Sequence, residues 1–182
     1  HARLRDALAG DPGVAFVPRR LRCGWGEWSL VEATLAAART ALAAFPDASH
    51  LYLISGACLP IKSAAHVHAA LAADPADHVE TVDFFTSGWI KTGLREERLI
   101  YRHPFNERRR PGLFYAAMAV QKRLGLARPL PAGLRIRIGS QWWCLRRATV
   151  ERLLAFLAGR ADVVRFFRRT WIPDETFFQT LV

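Results

Sequence analysis

The sequence predicts an α/β fold: a mostly parallel sheet flanked by helices. Three observations lead there. Between Val14 and Phe84, short apolar runs of strand length alternate with longer Ala- and Leu-rich stretches of helical character. The run "LYLIS" (51–55) is apolar at consecutive positions, as in a strand covered on both faces. Its stop, Ser55-Gly56, marks a strand exit, and in such sheets ligands bind beyond the carboxyl ends of strands.

Each element has its own reason. "HARLRDALAG" reads as a short helix ended by Gly10 and Pro12, and "GVAFVP" as a strand. "LVEATLAAARTALAAF" is a helix with Ser29 as its N-cap. "AAHVHAALAAD" is the next helix and "HVETVDF" the next strand. From Phe84 to Pro131 the pattern is irregular, with a helical stretch at "GLFYAAMAVQKRLG"; such an excursion suits an active-site role or a subdomain. "LRIRIGSQWWCLRR" alternates like a strand and "ATVERLLAFLAG" is a helix. In "TWIPDETFFQTLV", Pro173 suits the first helical position, with Asp174 and Glu175 in the first turn.

At 182 residues, of which 51% are hydrophobic, the chain can bury the core of one domain. No stretch of 18 apolar residues occurs, so no membrane span is expected. There is no signal peptide and no initiator Met, which suggests a piece of a longer protein. The net charge of +10 fits nucleic acid, an anionic substrate such as a sugar nucleotide, or simply an Arg- and Ala-rich bacterial composition. The basic residues are spread through "VPRRLR", "NERRRP", "LRRATVER" and "RFFRR", so no nucleic-acid partner is expected. Cys23, Cys58 and Cys144 are odd in number and far apart, without zinc or disulfide spacing. They read as small buried residues in a reducing compartment. His66 and His68 lack the HExxH pattern, and no Asp-x-Asp pair is present to hold a divalent ion on a diphosphate, so no metal is expected.

Three motifs have both a chemical and a structural reading. "SGACLPIKS" is a substrate loop or an ordinary strand exit. Gln141 and Trp142 suit a carbohydrate, which binds aromatic faces and hydrogen-bonding side chains; alternatively they belong to a strand with Trp residues facing opposite sides. Asp174 and Glu175 are a helix cap, or one of them is a general base.

Taken together and in order, "CGWGEWSLVEATLAAARTAL", "HLYLISGACLPIKS", "GSQWWCLRRATVERLL" and "TWIPDETFFQTLV" resemble the core-2/I-branching glycosyltransferases, glycosyltransferase family 14, which also includes the peptide O-xylosyltransferases. The resemblance runs from about Val14 to Val182. It implies a GT-A-like, Rossmann-like domain over 1–182. The nucleotide-binding first strand would precede His1, and the C-terminal diphosphate-binding part would follow Val182. It implies an inverting, metal-independent transfer, with no cofactor, of N-acetylglucosamine from a UDP-sugar donor to a glycan acceptor. Glu175 would be the base. Asp174 would support the turn or touch substrate. Trp25, Ser140, Gln141 and Trp142 would line the substrate site, and Glu80 and Lys91 would contact the acceptor.

Two positions depart from the family. Cys58 replaces the Asp of its "SG-D-P" loop, and Gln141 stands where the xylosyltransferases carry an acid. An amide cannot be a base, so xylosyl transfer is the alternative expectation; a non-enzymatic basic nucleic-acid-binding domain is another. The expected setting is a bacterial cytoplasm, peripheral to the inner membrane, or a Golgi-type lumen in a eukaryote.

Overall fold

In a computed structural model, the structure describes residues 2–182; His1, the start of the first expected helix, lies outside them. The order is α1 (Ala2–Ala7), α2 (Trp28–Ala44), β1 (His50–Tyr52), α3 (Ala64–Ala73), β2 (His78–Val79), β3 (Val82–Asp83), α4 (Glu97–Ile100), α5 (Pro111–Arg123), β4 (Arg137–Ile138), β5 (Trp143–Arg146), α6 (Arg147–Ala158), α7 (Ala161–Phe167) and α8 (Phe177–Leu181). A 3-10 turn, Pro173–Glu175, precedes α8.

The fold is mixed α/β, but the sheets are small and antiparallel, which corrects the expected parallel sheet. One sheet has the order β1-β5-β2, and the other pairs β3 with β4. Both β1 and β2 pair antiparallel with β5. They therefore point the same way, as a strand–helix–strand unit should. β5 arrives from much later in the chain and occupies the gap between them, so the two strands are not neighbours. Sequence alternation reports strand direction within a local unit; it carries no information about a strand inserted from elsewhere. "LYLIS" is also not covered on both faces, because Tyr52 is 65% exposed. The doubly covered strand is β5, where Trp143, Cys144 and Leu145 are all buried.

Helix α2 starts at Trp28, with Glu27 rather than Ser29 in the capping position. The Ser29 hydroxyl instead accepts from the Gly24 amide at 3.0 Å. Residues 13–18, expected as a strand, pair with no other strand among the described residues. "HVETVDF" is divided into β2 and β3, and "LRIRIGSQWWCLRR" into β4 and β5. In each, a short bend moves the chain from one sheet to the other.

The core lies where α2, α6, α7 and α8 meet β5. Val31, Leu35, Leu145, Val150, Leu153, Phe167 and Phe177 fill it. Trp28, Phe177 and Phe167 pack edge to face in series, at 5.2 and 5.3 Å between ring centres. Arg147 donates to the Phe45 and Leu42 carbonyls, capping the C-terminal end of α2 and tying α6 to it. Asp77 accepts from the Arg146 amide at 2.7 Å and from the Thr149 hydroxyl at 2.7 Å, which fixes the start of α6 beside β2.

Arg128 is buried without a carboxylate partner. It donates to the Leu99 carbonyl (2.6 Å), the Phe166 carbonyl (2.6 Å) and the Thr170 hydroxyl (2.9 Å). Only a planar fork of donors can serve three acceptors in these directions.

Gly139 sits at a close backbone approach. A Cβ there would overlap the carbonyl of Glu80, so main chain meets main chain with nothing flexible between. Gly139→Ala is expected to destabilise the fold by about 3 kcal/mol through forced displacement of one segment. A lower urea midpoint at unchanged slope would show it; an unchanged midpoint would mean that the two segments separate freely.

Candidate active site

The site is organised by residues 170–176. Trp171 donates its amide to the Arg98 carbonyl (3.0 Å), Ile172 donates to the Gly26 carbonyl (3.0 Å), and Glu175 accepts from the Gly139 amide (3.0 Å). Ile172 is forced into the left-handed region, with φ 52° and ψ 57°. This is costly for a β-branched residue, and doubly so before a proline. Strain of this kind, roughly 1–3 kcal/mol, persists only where the surroundings over-determine it. Gly26 is part of that surrounding structure. Its φ is +69°, and a Cβ on it would lie 3.0 Å from the Trp171 ring.

After Ile172 the chain makes the tight Pro173–Glu175 turn and then enters α8. Pro173 takes the first position, as expected. The acids lie on a 3-10 turn rather than in the first turn of a long helix, because Thr176 leaves helical geometry between the two elements.

The turn opens onto a cleft of about 540 Å³ lined by Trp25, Trp89, Ser140, Gln141, Trp142, Asp174 and Glu175, with Cys23, Gly24, Leu30 and Ile172. Six of the eight residues expected from sequence therefore converge. Trp142 is 39% exposed while its neighbour Trp143 is buried, so the two tryptophans face opposite sides. Trp25 is also exposed, but the Arg108 guanidinium lies 3.7 Å over its ring. Trp142 has no cation over its ring among the described residues. The Ser140 hydroxyl accepts from the Trp142 amide at 3.4 Å, and the Ser140 carbonyl accepts from Gln179.

Glu175 is part-exposed and ion-paired with Arg98 at 3.0 Å through Oε2. Arg98 also donates from Nε to the Leu94 carbonyl at 2.8 Å, so the guanidinium is fixed before it meets the acid. Glu175 Oε1 has no hydrogen-bond partner among the described residues, and Glu175 lines the cleft. Asp174 is more deeply buried, and its Oδ1 has no partner. Burial, reinforced by the charge of Glu175, pushes its carboxyl up to about 6.

Two expected residues do not line this cleft. Glu80 is exposed; only its backbone approaches, through the contact with Gly139. Lys91 is exposed and two positions beyond Trp89. The "SGACLPIKS" loop also lies outside the cleft, with Leu59 and Ile61 almost fully exposed. In it Cys58 is hydrogen-bonded by Ser55, which pushes its thiol down. Cys23 is exposed too, so only Cys144 meets the expectation of a buried cysteine; all three are free.

The sequence reading missed Arg98 and Trp89. Arg98 sits in a mixed-charge stretch, "REER", and nothing local distinguishes it from a solvated helix face. Its partner is far away in the chain. Among the described residues no group of three or more His, Cys, Asp or Glu side chains gathers as a metal site would require, and no helix is long and apolar enough to cross a membrane.

An acidic turn in a cleft walled by tryptophans, on a mixed α/β scaffold, is the type of site that sugar-handling enzymes present. The chain belongs to the core-2/I-branching enzyme family, whose model matches residues 2–182, and this is a family of glycosyltransferases acting between a sugar donor and an acceptor. A search of curated proteins found no match to the chain.

Asp174 generates a pH prediction. Its folded carboxyl holds a proton to about pH 6, whereas the unfolded one releases it near 3.8. Stability from this group is therefore intact below pH 4 and falls as pH rises to 6, by roughly 2–3 kcal/mol. His103, pushed down to about 4 by burial, has the opposite slope over much of the same window. It cancels in a comparison with Asp174→Asn. The stability of Asp174→Asn minus that of the parent is expected to rise by roughly 2–3 kcal/mol between pH 4 and 7 in urea titrations. A flat difference would mean that the carboxyl is solvated.

Proposed function

We propose that the protein moves N-acetylglucosamine from a UDP-sugar to a glycan hydroxyl, with inversion and without a metal, using Glu175 as the general base. One observation carries this reading: Glu175 has one oxygen held by Arg98 and the other free, at the edge of a cleft walled by Trp25, Trp89 and Trp142. A base needs a fixed carboxylate with a lone pair aimed at the proton it removes.

In the proposed step, Glu175 Oε1 takes the proton of the acceptor hydroxyl. The hydroxyl oxygen forms its bond to the anomeric carbon as the bond to the diphosphate breaks, and UDP leaves with the electron pair. Arg98 prevents the carboxylate from turning away. Trp142 and Gln141 hold the sugar by its apolar face and its hydroxyls. Ser140 and Trp25 shape the far wall, and Asp174 stiffens the turn beneath. Glu80 and Lys91 contact the acceptor outside the cleft. An amide at 141 cannot act as a base, which favours Glu175 in that role over a xylosyltransferase-like arrangement. The free cysteines suit a reducing bacterial cytoplasm, with a surface polysaccharide or lipid-linked glycan as acceptor.

The test is sugar transfer by the full-length protein from a panel of UDP-sugars in EDTA, beside Glu175→Gln. Transfer is expected to survive EDTA and to fall in kcat by roughly 10²-fold or more in the variant. Transfer that requires a divalent ion, or that is indifferent to Glu175, would overturn the assignment.

A further inference from the structure

A second, larger cleft of about 940 Å³ lies between α5 and α7, away from the acidic turn. Its volume is in the range of ligand pockets. Part of its lining is apolar: Phe105, Leu113, Val120 and Leu126, the last three from 47 to 55% exposed. Such a contiguous apolar surface is not covered by packing within the described residues.

The charge around it has one sign. Arg102, Arg165 and Arg169 line the cleft, are exposed, and have no carboxylate within ion-pair distance among the described residues. The one acid present, Asp162, is held by Arg160 at 2.8 Å. Beneath them lies buried Arg128, whose three acceptors are all uncharged. Burial, together with repulsion from Arg102 and Arg169, lowers its guanidinium to about 10. Three exposed cations therefore line the cleft with a fourth buried beneath them, and none of the four has a carboxylate partner among the described residues. The geometry is firm, because Gln121 of α5 grips the backbone of Arg102 from both sides, accepting from its amide and donating to its carbonyl at 2.9 Å each.

An apolar trough alone would take many occupants, and a basic patch alone would take any anion. Their juxtaposition selects for both properties in one molecule. We infer that the cleft between α5 and α7 binds a single-chain anionic amphiphile, with its acidic head over Arg102, Arg165 and Arg169 and its hydrocarbon chain along Leu113, Val120 and Leu126. This goes beyond the transfer reading and does not rest on it. A carboxylate or phosphate head would satisfy the arginines equally, since each accepts the paired donors of a guanidinium.

The probe is 11-(dansylamino)undecanoic acid, whose emission shifts to the blue on entering an apolar site. Saturable one-to-one binding to the full-length protein is expected, with displacement by dodecyl phosphate below its micellar concentration. Decyl phosphate should compete more weakly, by up to about fourfold for each methylene lost. Inorganic phosphate and dodecyltrimethylammonium should not displace the probe. Arg165→Glu and Val120→Asp, both at exposed positions, should each weaken binding about tenfold or more while leaving the urea midpoint in place. Absence of saturable binding would overturn the inference. So would displacement by the cationic chain, displacement by phosphate alone, or variants that bind as the parent does. Sugar transfer is not a readout here, so the two readings fail separately.

Discussion

The left-handed backbone at Ile172 is the constraint on which the site depends. Left to itself this residue would extend, as residues before proline do, and the acids after it would point elsewhere. It is held because the chain around it is bonded to segments near Gly26, Arg98 and Gly139. Each of those segments also supplies a wall or a partner of the cleft: Trp25 beside Gly26, Arg98 itself, and Ser140 to Trp142 after Gly139. The bonds that fix the strained residue are thus the bonds that assemble the site.

The basic composition has a structural explanation more specific than net charge. Arg98, Arg128, Arg137 and Arg147 each reach backbone carbonyls: Arg128 and Arg147 join separate elements, Arg137 reinforces the β3–β4 pair at Thr81, and Arg98 is braced on Leu94 before it meets Glu175. Strands of two to four residues offer few ladder bonds. Guanidinium forks do the bridging instead, each satisfying several buried acceptors at once. A lysine in any of these places has its three donors on one nitrogen and could not span acceptors this far apart, leaving some of them unmet.

Much of this was legible in the sequence, because it is local. Helices α2, α5 and α6 follow from composition and apolar spacing, and the opposite facing of Trp142 and Trp143 follows from strand alternation. The convergence of Trp25, Gln141, Trp142 and Glu175 was legible only through family resemblance, since no periodicity links these positions. The antiparallel sheet was not legible: the insertion of β5 between β1 and β2 is a long-range event with no local signature. Nor was the role of Arg98, or the replacement of Ser29 by Glu27 at the start of α2. In both cases the deciding partner, Glu175 or Asn106, lies far along the chain. Glu80 and Lys91 were placed by resemblance alone, and no contact in the structure draws their side chains into the cleft.

The hydrogen bond from Ile172 to Gly26 joins residues far apart in the sequence. Closing so long a loop is entropically expensive and slow compared with forming the local helices. The cleft therefore belongs to the last stage of folding, after α2, α5 and α6 have formed, and the Trp28–Phe177 contact, which spans the same closure, forms with it. A chain emerging from the ribosome contains Trp25, Trp89 and Trp142 long before it contains a site. Trp25 stands beside Gly26, so its edge-to-face contact with Trp171 appears only when the Ile172–Gly26 bond closes, and the quenching or transfer between this pair dates the appearance of the cleft during refolding.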